Sequence, residues 1–230
     1  MQNSTMVTIV RWLVTLAMPI FLGFTTIVLI IRPAYPRYEY GKANFPPDPY
    51  GFTPEQRLSL ALVAVDYLRR PEPAEEVIFM LEDQRLPGTD QPLYNEREIK
   101  HMIDVKHLTD AIRRIDWVAA ILVVGGLAFL FWRPETRVAG YRAMLQGGIL
   151  TTAILLGIAL FILVGWNLFF VQFHELLFPP GTWTFAYSDS LIRLFPEKFW
   201  FDLGVILSVG TLLEGVITAV LGYVLWKRVM

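Results

Sequence analysis

Four long, almost charge-free runs constrain this chain more than any other feature. They cover residues 9–31, 117–132, 143–171 and 203–226. A bilayer's hydrocarbon core is about 30 Å thick and needs about 20 apolar residues of helix to cross it. Charged side chains are costly at its centre, so runs of this kind are read as spans. The second run is short for a span, but a helix entering it from residue 95 supplies extra turns. The expectation is an all-α membrane protein with four transmembrane helices. The first run is too long for the apolar part of a signal peptide. No small-residue cleavage site follows it either, since Arg32-Pro33 comes next, so it reads as an uncleaved first span.

Orientation follows from charge. The short connection 133–142 and the residues after 226 carry Arg133, Arg137, Arg142, Lys227 and Arg228 against the single acid Glu135. Short basic segments stay in the cytoplasm, so both termini are expected there. That leaves 33–116, a mostly helical subdomain, and the loop 172–202 on the extracytoplasmic side of the cell membrane. His101, His107 and His174, the three histidines of the chain, all fall on that side.

Within 33–116 the local signals are mixed. The proline- and tyrosine-rich stretch from Pro33 to Tyr40 and the segment Phe45-Pro-Pro-Asp-Pro-Tyr50 read as extended interfacial chain. Thr53-Pro54-Glu55-Gln56 starts a helix, with Thr as cap, Gln three residues on and Pro at the first helical position. That helix covers 55–70 and ends at Pro71. A short helix follows over 74–82, then a turn at Leu86-Pro-Gly-Thr-Asp90.

The richest stretch is Tyr94-Asn95-Glu96-Arg97-Glu98-Ile99-Lys100-His101-Met102-Ile103-Asp104-Val105. Asn95 and Glu98 have the spacing of a capping box. At 100° per residue His101 falls in line with Val105, Leu108, Ile112 and Ile115, on the face such a helix buries. Glu98 and Asp104 flank it at three residues on either side. His107 points about 120° away and reads as a solvated surface residue. In the second outer segment, His174 stands among phenylalanines at the mouth of the third span. It is followed by a rim dense in aromatic residues and proline, suited to the headgroup layer.

Several classes are excluded. The chain has no cysteine, so disulfides, thiolate metal sites and a cysteine nucleophile are impossible. A net charge of −1 and the lack of a basic face argue against nucleic acid. No Gly-x-Ser-x-Gly elbow is present. Each remaining feature also has a plain reading. His101 could be a core histidine bonded to a carbonyl, Glu98 a cap, and Asp104 a partner of Lys100 or Lys106. Glu98 and His101 also have the Glu-x-x-His spacing of carboxylate metal sites. A metal-dependent membrane enzyme using Glu98, His101 and His174 is therefore one alternative, and a non-enzymatic membrane interaction module another. Glu214, near the middle of the fourth span, is either a structural hydrogen-bond partner or part of a proton path.

The stretch 94–105, together with Phe173-His174 and Asp189-x-Leu191-Ile192-Arg193-Leu194-x-Pro196-x-x-Phe199, resembles the lipoprotein intramolecular transacylase family of bacterial membrane proteins. The resemblance implies a diacylated lipoprotein substrate in the membrane lipid, with no cofactor or metal. An acyl chain would move from the sn-2 position of the S-diacylglyceryl cysteine to the α-amine of the same cysteine, giving the lyso form. It implies two catalytic histidines, which map onto His101 and His174. The chemistry suits them, because an amine titrating near pH 8 needs a base that works near neutrality. The expected roles are His101 as base oriented by Asp104 and His174 as acid or oxyanion donor. The reverse assignment and a covalent acyl-imidazole stay open. Tyr94, Asn95, Arg97, Glu98 and Arg193 are the expected substrate-binding residues.

Overall fold

A computed structural model describes residues 2–229. Among them there is no β-strand, and ten α-helices account for most of the chain. They are α1 (Gln2–Ile30), α2 (Ala34–Tyr40), α3 (Pro54–Arg69), α4 (Ala74–Val77), α5 (Phe79–Glu82) and α6 (Glu96–Ala120). The rest are α7 (Gly126–Trp132), α8 (Arg137–Leu177), α9 (Ser190–Leu194) and α10 (Glu197–Lys227). A π-helical turn, Ile121–Gly125, joins α6 to α7. Four helical stretches are long and apolar enough to cross a bilayer: Ser4–Ile30, Glu96–Trp132, Pro134–Leu177 and Glu197–Lys227. The protein is an all-α, multi-pass membrane protein.

The chain divides into two compact units. One consists of the N-terminal segment ending at Ile27, Ile112–Val164, and the C-terminal segment from Gly204. Lipid tails are as apolar as leucine, so helices here gain little from burying apolar side chains and associate by close packing. Its small core joins Val14, Ala17, Met18, Val123, Leu130 and Ala143. Elsewhere α8 and α10 meet backbone to backbone. A Cβ on Gly148 would stand 2.4 Å from the Ala219 nitrogen and 2.5 Å from the Gly215 carbonyl oxygen. Only glycine allows that approach. Two polar bridges complete the unit: Thr25 donates to Asp116 at 2.9 Å and Thr26 to Glu214 at 3.0 Å. Glu214 thus has a hydrogen-bond donor from a neighbouring helix, as a carboxylate at that depth requires.

The other unit comprises Val28–Ala111 and Gly165–Leu203. Its hub is α3, which packs against α2, α5 and α9. The capping box at its start is complete: Thr53 Oγ1 accepts from Gln56 N–H and the Gln56 side chain accepts from Thr53 N–H. Ala61, Ala64, Tyr67, Leu81 and Leu194 are fully or almost fully buried around it. Leu86 N–H donates to the Gln91 carbonyl at 2.9 Å across a turn in which Gly88 takes φ 79°.

Three local expectations need correction. Residues 34–40 are helical, not extended. Pro33 and Pro36 stand at the cap and in the first turn, where helical N–H groups have no partner and proline costs nothing. Buried Tyr35 fixes that helix by donating to the Phe199 carbonyl at 2.7 Å. The helix expected over 74–82 is two separate turns, α4 and α5. On α6 the buried edge runs through Glu98, His101, Met102, Lys106 and Thr109, while Ile115 is exposed. Lys106 is fully buried and donates to the Arg70 carbonyl and to Asp110, not to Asp104.

Candidate active site

The site grows from the first turn of α6. Asn95 Oδ1 accepts from the N–H groups of Arg97 and Glu98, and Glu98 Oε2 accepts from Asn95 N–H at 2.8 Å. This is the reciprocal cap expected from the spacing. The second oxygen of Glu98 reaches further and accepts from the N–H of Leu191, at the start of α9, at 2.7 Å. Ser190, one residue earlier, donates its hydroxyl to the Leu93 carbonyl. The loop before α6 and the loop before α9 are therefore fastened together through one buried carboxylate.

One turn further along α6 is His101, buried against rings contributed by the end of α8 and the loop after it. Phe178 lies 4.8 Å from it centroid to centroid, Phe185 5.3 Å and His174 6.4 Å, the two imidazole planes being 26° from parallel. His174 is half-buried among Phe170, Phe173, Phe178 and Trp183 at centroid distances of 4.1 to 5.5 Å. The sequence marked these aromatics only as a headgroup-level rim. In the structure they form a cage around two imidazoles. A histidine followed by aromatics at positions 178, 183 and 185 was the available signal, but the loop path that folds them back was not.

The ring nitrogens differ. His174 Nδ1 is 2.7 Å from the Phe170 carbonyl oxygen of the preceding turn. A carbonyl only accepts, so Nδ1 carries the proton and Nε2 of the neutral ring keeps a lone pair. His101 Nδ1 is buried without a hydrogen-bond partner. A buried N–H left unpaired costs about 1–3 kcal/mol. The proton of a neutral His101 is therefore favoured on Nε2.

The other predicted residues are placed as follows. Asp104 makes no hydrogen bond to His101 Nδ1, which has none, so the expected orienting contact at that atom is absent. Arg97 is half exposed, pairs with Asp189 at 3.6 Å and lies over the Phe185 ring at 5.7 Å. Tyr94 is buried and its hydroxyl has no partner. Burial, with Glu98 and Tyr40 nearby, holds that phenol above its usual range.

Arg193 is committed to structure. It donates to both oxygens of Asp48 at 3.2 and 2.9 Å and stacks 3.5 Å over Phe52. Its own carbonyl accepts from buried Arg57. Asp48 and Arg57 were not anticipated, because nothing in their spacing relates them to residue 193. Burial raises the Asp48 carboxyl, but Arg193 and the Phe52 N–H outweigh that and hold it below the usual carboxylate range.

His107 is exposed, as expected, and lies 2.9 Å from Glu75. The metal alternative loses its carboxylate: both Glu98 oxygens are taken by backbone N–H groups. Among the described residues no three histidine, aspartate or glutamate side chains gather as metal ligands would.

Comparison with known proteins agrees with this architecture. Over 98% of its length the chain is similar to the in meso structure of the membrane integral lipoprotein intramolecular transacylase Lit from Bacillus cereus. The TM-score is 0.64 at 20% identity, with 96% of that chain covered. A variant of that protein with a histidine mutated to arginine matches with a TM-score of 0.60 at 19% identity, covering 98% of this chain and 94% of the other. At such identities the likeness establishes the fold. An uncharacterized protein of Aquifex aeolicus is 28% identical over 219 residues, 92% of this chain and 95% of its own length. The model of the family described as lipoprotein intramolecular transacylase Lit matches residues 9–200. The chain belongs to the lipoprotein intramolecular transacylase family.

Proposed function

We propose that this protein moves an acyl chain within a diacylated lipoprotein, from the sn-2 ester of the S-diacylglyceryl cysteine to the α-amine of that cysteine. The observation that carries the reading is the stacked pair His101–His174 inside an aromatic cage. In the step, the amine nitrogen attacks the ester carbonyl carbon. The new C–N bond forms and the C–O bond to glycerol breaks. One proton leaves the amine and one reaches the glycerol oxygen, so the mass of the substrate is unchanged.

The hydrogen bonds favour a division of labour. His174, with Nδ1–H held by the Phe170 carbonyl, offers the Nε2 lone pair and takes the amine proton. His101 donates a hydrogen bond from Nε2–H to the developing oxyanion and keeps its proton, while the His174 imidazolium passes the proton it has taken to the departing glycerol oxygen, so both rings end neutral. This reverses the assignment expected from the flanking carboxylates. Nucleophile and ester belong to one molecule, so the protein's contribution is to hold them at attack distance, worth on the order of several kcal/mol of barrier. The aromatic walls suit acyl chains and exclude water that would hydrolyse the ester.

The basic segments around 133–142 and after 226 support cytoplasmic termini, and with them a catalytic pair on the extracytoplasmic side of the cell membrane. Purified protein incubated with a synthetic diacylated lipopeptide tests the activity. Mass-neutral migration of one acyl chain, located by fragmentation on the cysteine nitrogen, is the expected result. Unchanged lipopeptide, or release of free fatty acid, counts against it.

A further inference from the structure

Beside the start of α6 lies an open groove of about 550 Å³ that holds neither histidine. Its lining includes Gln91, Tyr94, Asn95, Glu96, Glu98, Ser188, Asp189 and Arg193. We infer that this groove seats the polypeptide that follows the acylated cysteine of the substrate. The inference rests on the acyl-transfer reading and deepens it.

The first argument is continuity. Glu98 precedes His101 by three residues on one helical face, a rise of roughly 4.5 Å. Arg97 pairs with Asp189 in the groove wall and lies over Phe185, which in turn packs 5.3 Å from His101. Arg97 thus links a residue of the groove to a residue of the cage. A cysteine whose free amine is the nucleophile is the first residue of its chain, so the polypeptide leaves the histidine pair in one direction only, through its carbonyl. The groove lies one helical turn away.

The second argument is chemistry. The exposed carboxamide of Gln91 and the exposed hydroxyl of Ser188 are neutral donors and acceptors that match peptide N–H and C=O groups. The charged lining residues are Glu96, Glu98 and Asp189 against Arg193, a net excess of acid. The Arg193 guanidinium is already held by Asp48 and the Tyr50 carbonyl. Among the residues lining the groove a phosphate headgroup finds no unpaired cation, whereas a neutral or basic peptide meets no repulsion.

The test uses the full-length protein in detergent and two substrates carrying the same S-diacylglyceryl group. One is a cysteine amide with no further residues, the other a cysteine followed by a short neutral peptide. Ser188 is exposed, so Ser188→Trp fills the groove without touching the core. It is expected to raise KM for the peptide-bearing substrate by about tenfold and to leave the cysteine amide unaffected. A second variant, Glu96→Lys, is expected to shift preference from lysine-bearing towards glutamate-bearing peptides. Equal effects on both substrates, no effect on either, or an unmoved charge preference overturns the proposal. So does competitive inhibition of the peptide-bearing substrate by added phosphatidylglycerol that Ser188→Trp abolishes, which would make the groove a headgroup site. If the unmodified protein moves no acyl chain on either substrate, the acyl-transfer reading itself is lost and the groove assignment goes with it.

Discussion

Glu98 and Leu191, far apart in the chain, are joined by a 2.7 Å hydrogen bond from the Leu191 N–H to a carboxylate oxygen that is itself buried. The other oxygen caps α6 three residues before His101. The same side chain therefore fixes both the helix that carries the first histidine and the loop leading into α9.

Replacing it with glutamine keeps the shape but turns one acceptor into a donor aimed at a backbone N–H. Glu98→Gln is expected to destabilise the unit by about 1–3 kcal/mol, read as a lower Tm in detergent. Activity at low temperature, where the protein stays folded, is expected to fall less than for either histidine variant. An unchanged Tm contradicts the fastening role.

Asp48 and Arg193 form the most buried ion pair around α9, with side chains 0% and 9% exposed. A carboxyl whose folded pKa is depressed contributes stability above its unfolded value, about 3.9, and loses it as pH falls through the folded value. Asp48→Asn leaves Arg193 buried without its charge partner and is expected to cost about 3 kcal/mol at neutral pH. The difference between variant and parent should shrink as the pH drops below the ordinary carboxylate range. Thermal unfolding followed across that range checks it. A difference that stays constant down to pH 3 disagrees with a depressed Asp48.

Glu214 accepts a hydrogen bond from Thr26 within the membrane-spanning unit. Glutamine can accept the same bond, so Glu214→Gln is expected to retain both folding and acyl migration. A folded Glu214→Gln protein that no longer moves the acyl chain would transfer this residue from helix packing to a proton path.

What could be seen in the sequence was what depends on short-range spacing. The boxes Thr53–Gln56 and Asn95–Glu98 formed as their spacing implied, because a cap is a contest between groups three residues apart. Four apolar runs likewise declared four long helices. The α2 stretch was misread because proline breaks helices only away from their first turn, and Pro33 and Pro36 lie at that turn. The stripe through Ile115 failed for another reason. Apolar means buried only where the surroundings are water, and Ile115 lies in the unit that holds the membrane-spanning runs. The Leu191 contact of Glu98, the Asp48 clamp on Arg193 and the burial of Lys106 under the Arg70 carbonyl are long-range. No local pattern encodes them. His101 and His174 meet because two helices and a loop return to one place, which the order of apolar runs suggested but could not fix to 6.4 Å.

The most direct test of the account is acyl migration on a diacylated lipopeptide by His101→Asn and His174→Asn, each compared with the parent protein. Asparagine preserves polarity and approximate size but cannot relay a proton. Each single change is expected to lower kcat by roughly 10²–10⁴-fold, with little change in Tm. The double variant should lose little more than the worse single one, as groups that act as a unit on one tetrahedral intermediate do. Migration at the parent rate in both single variants contradicts catalysis by this pair.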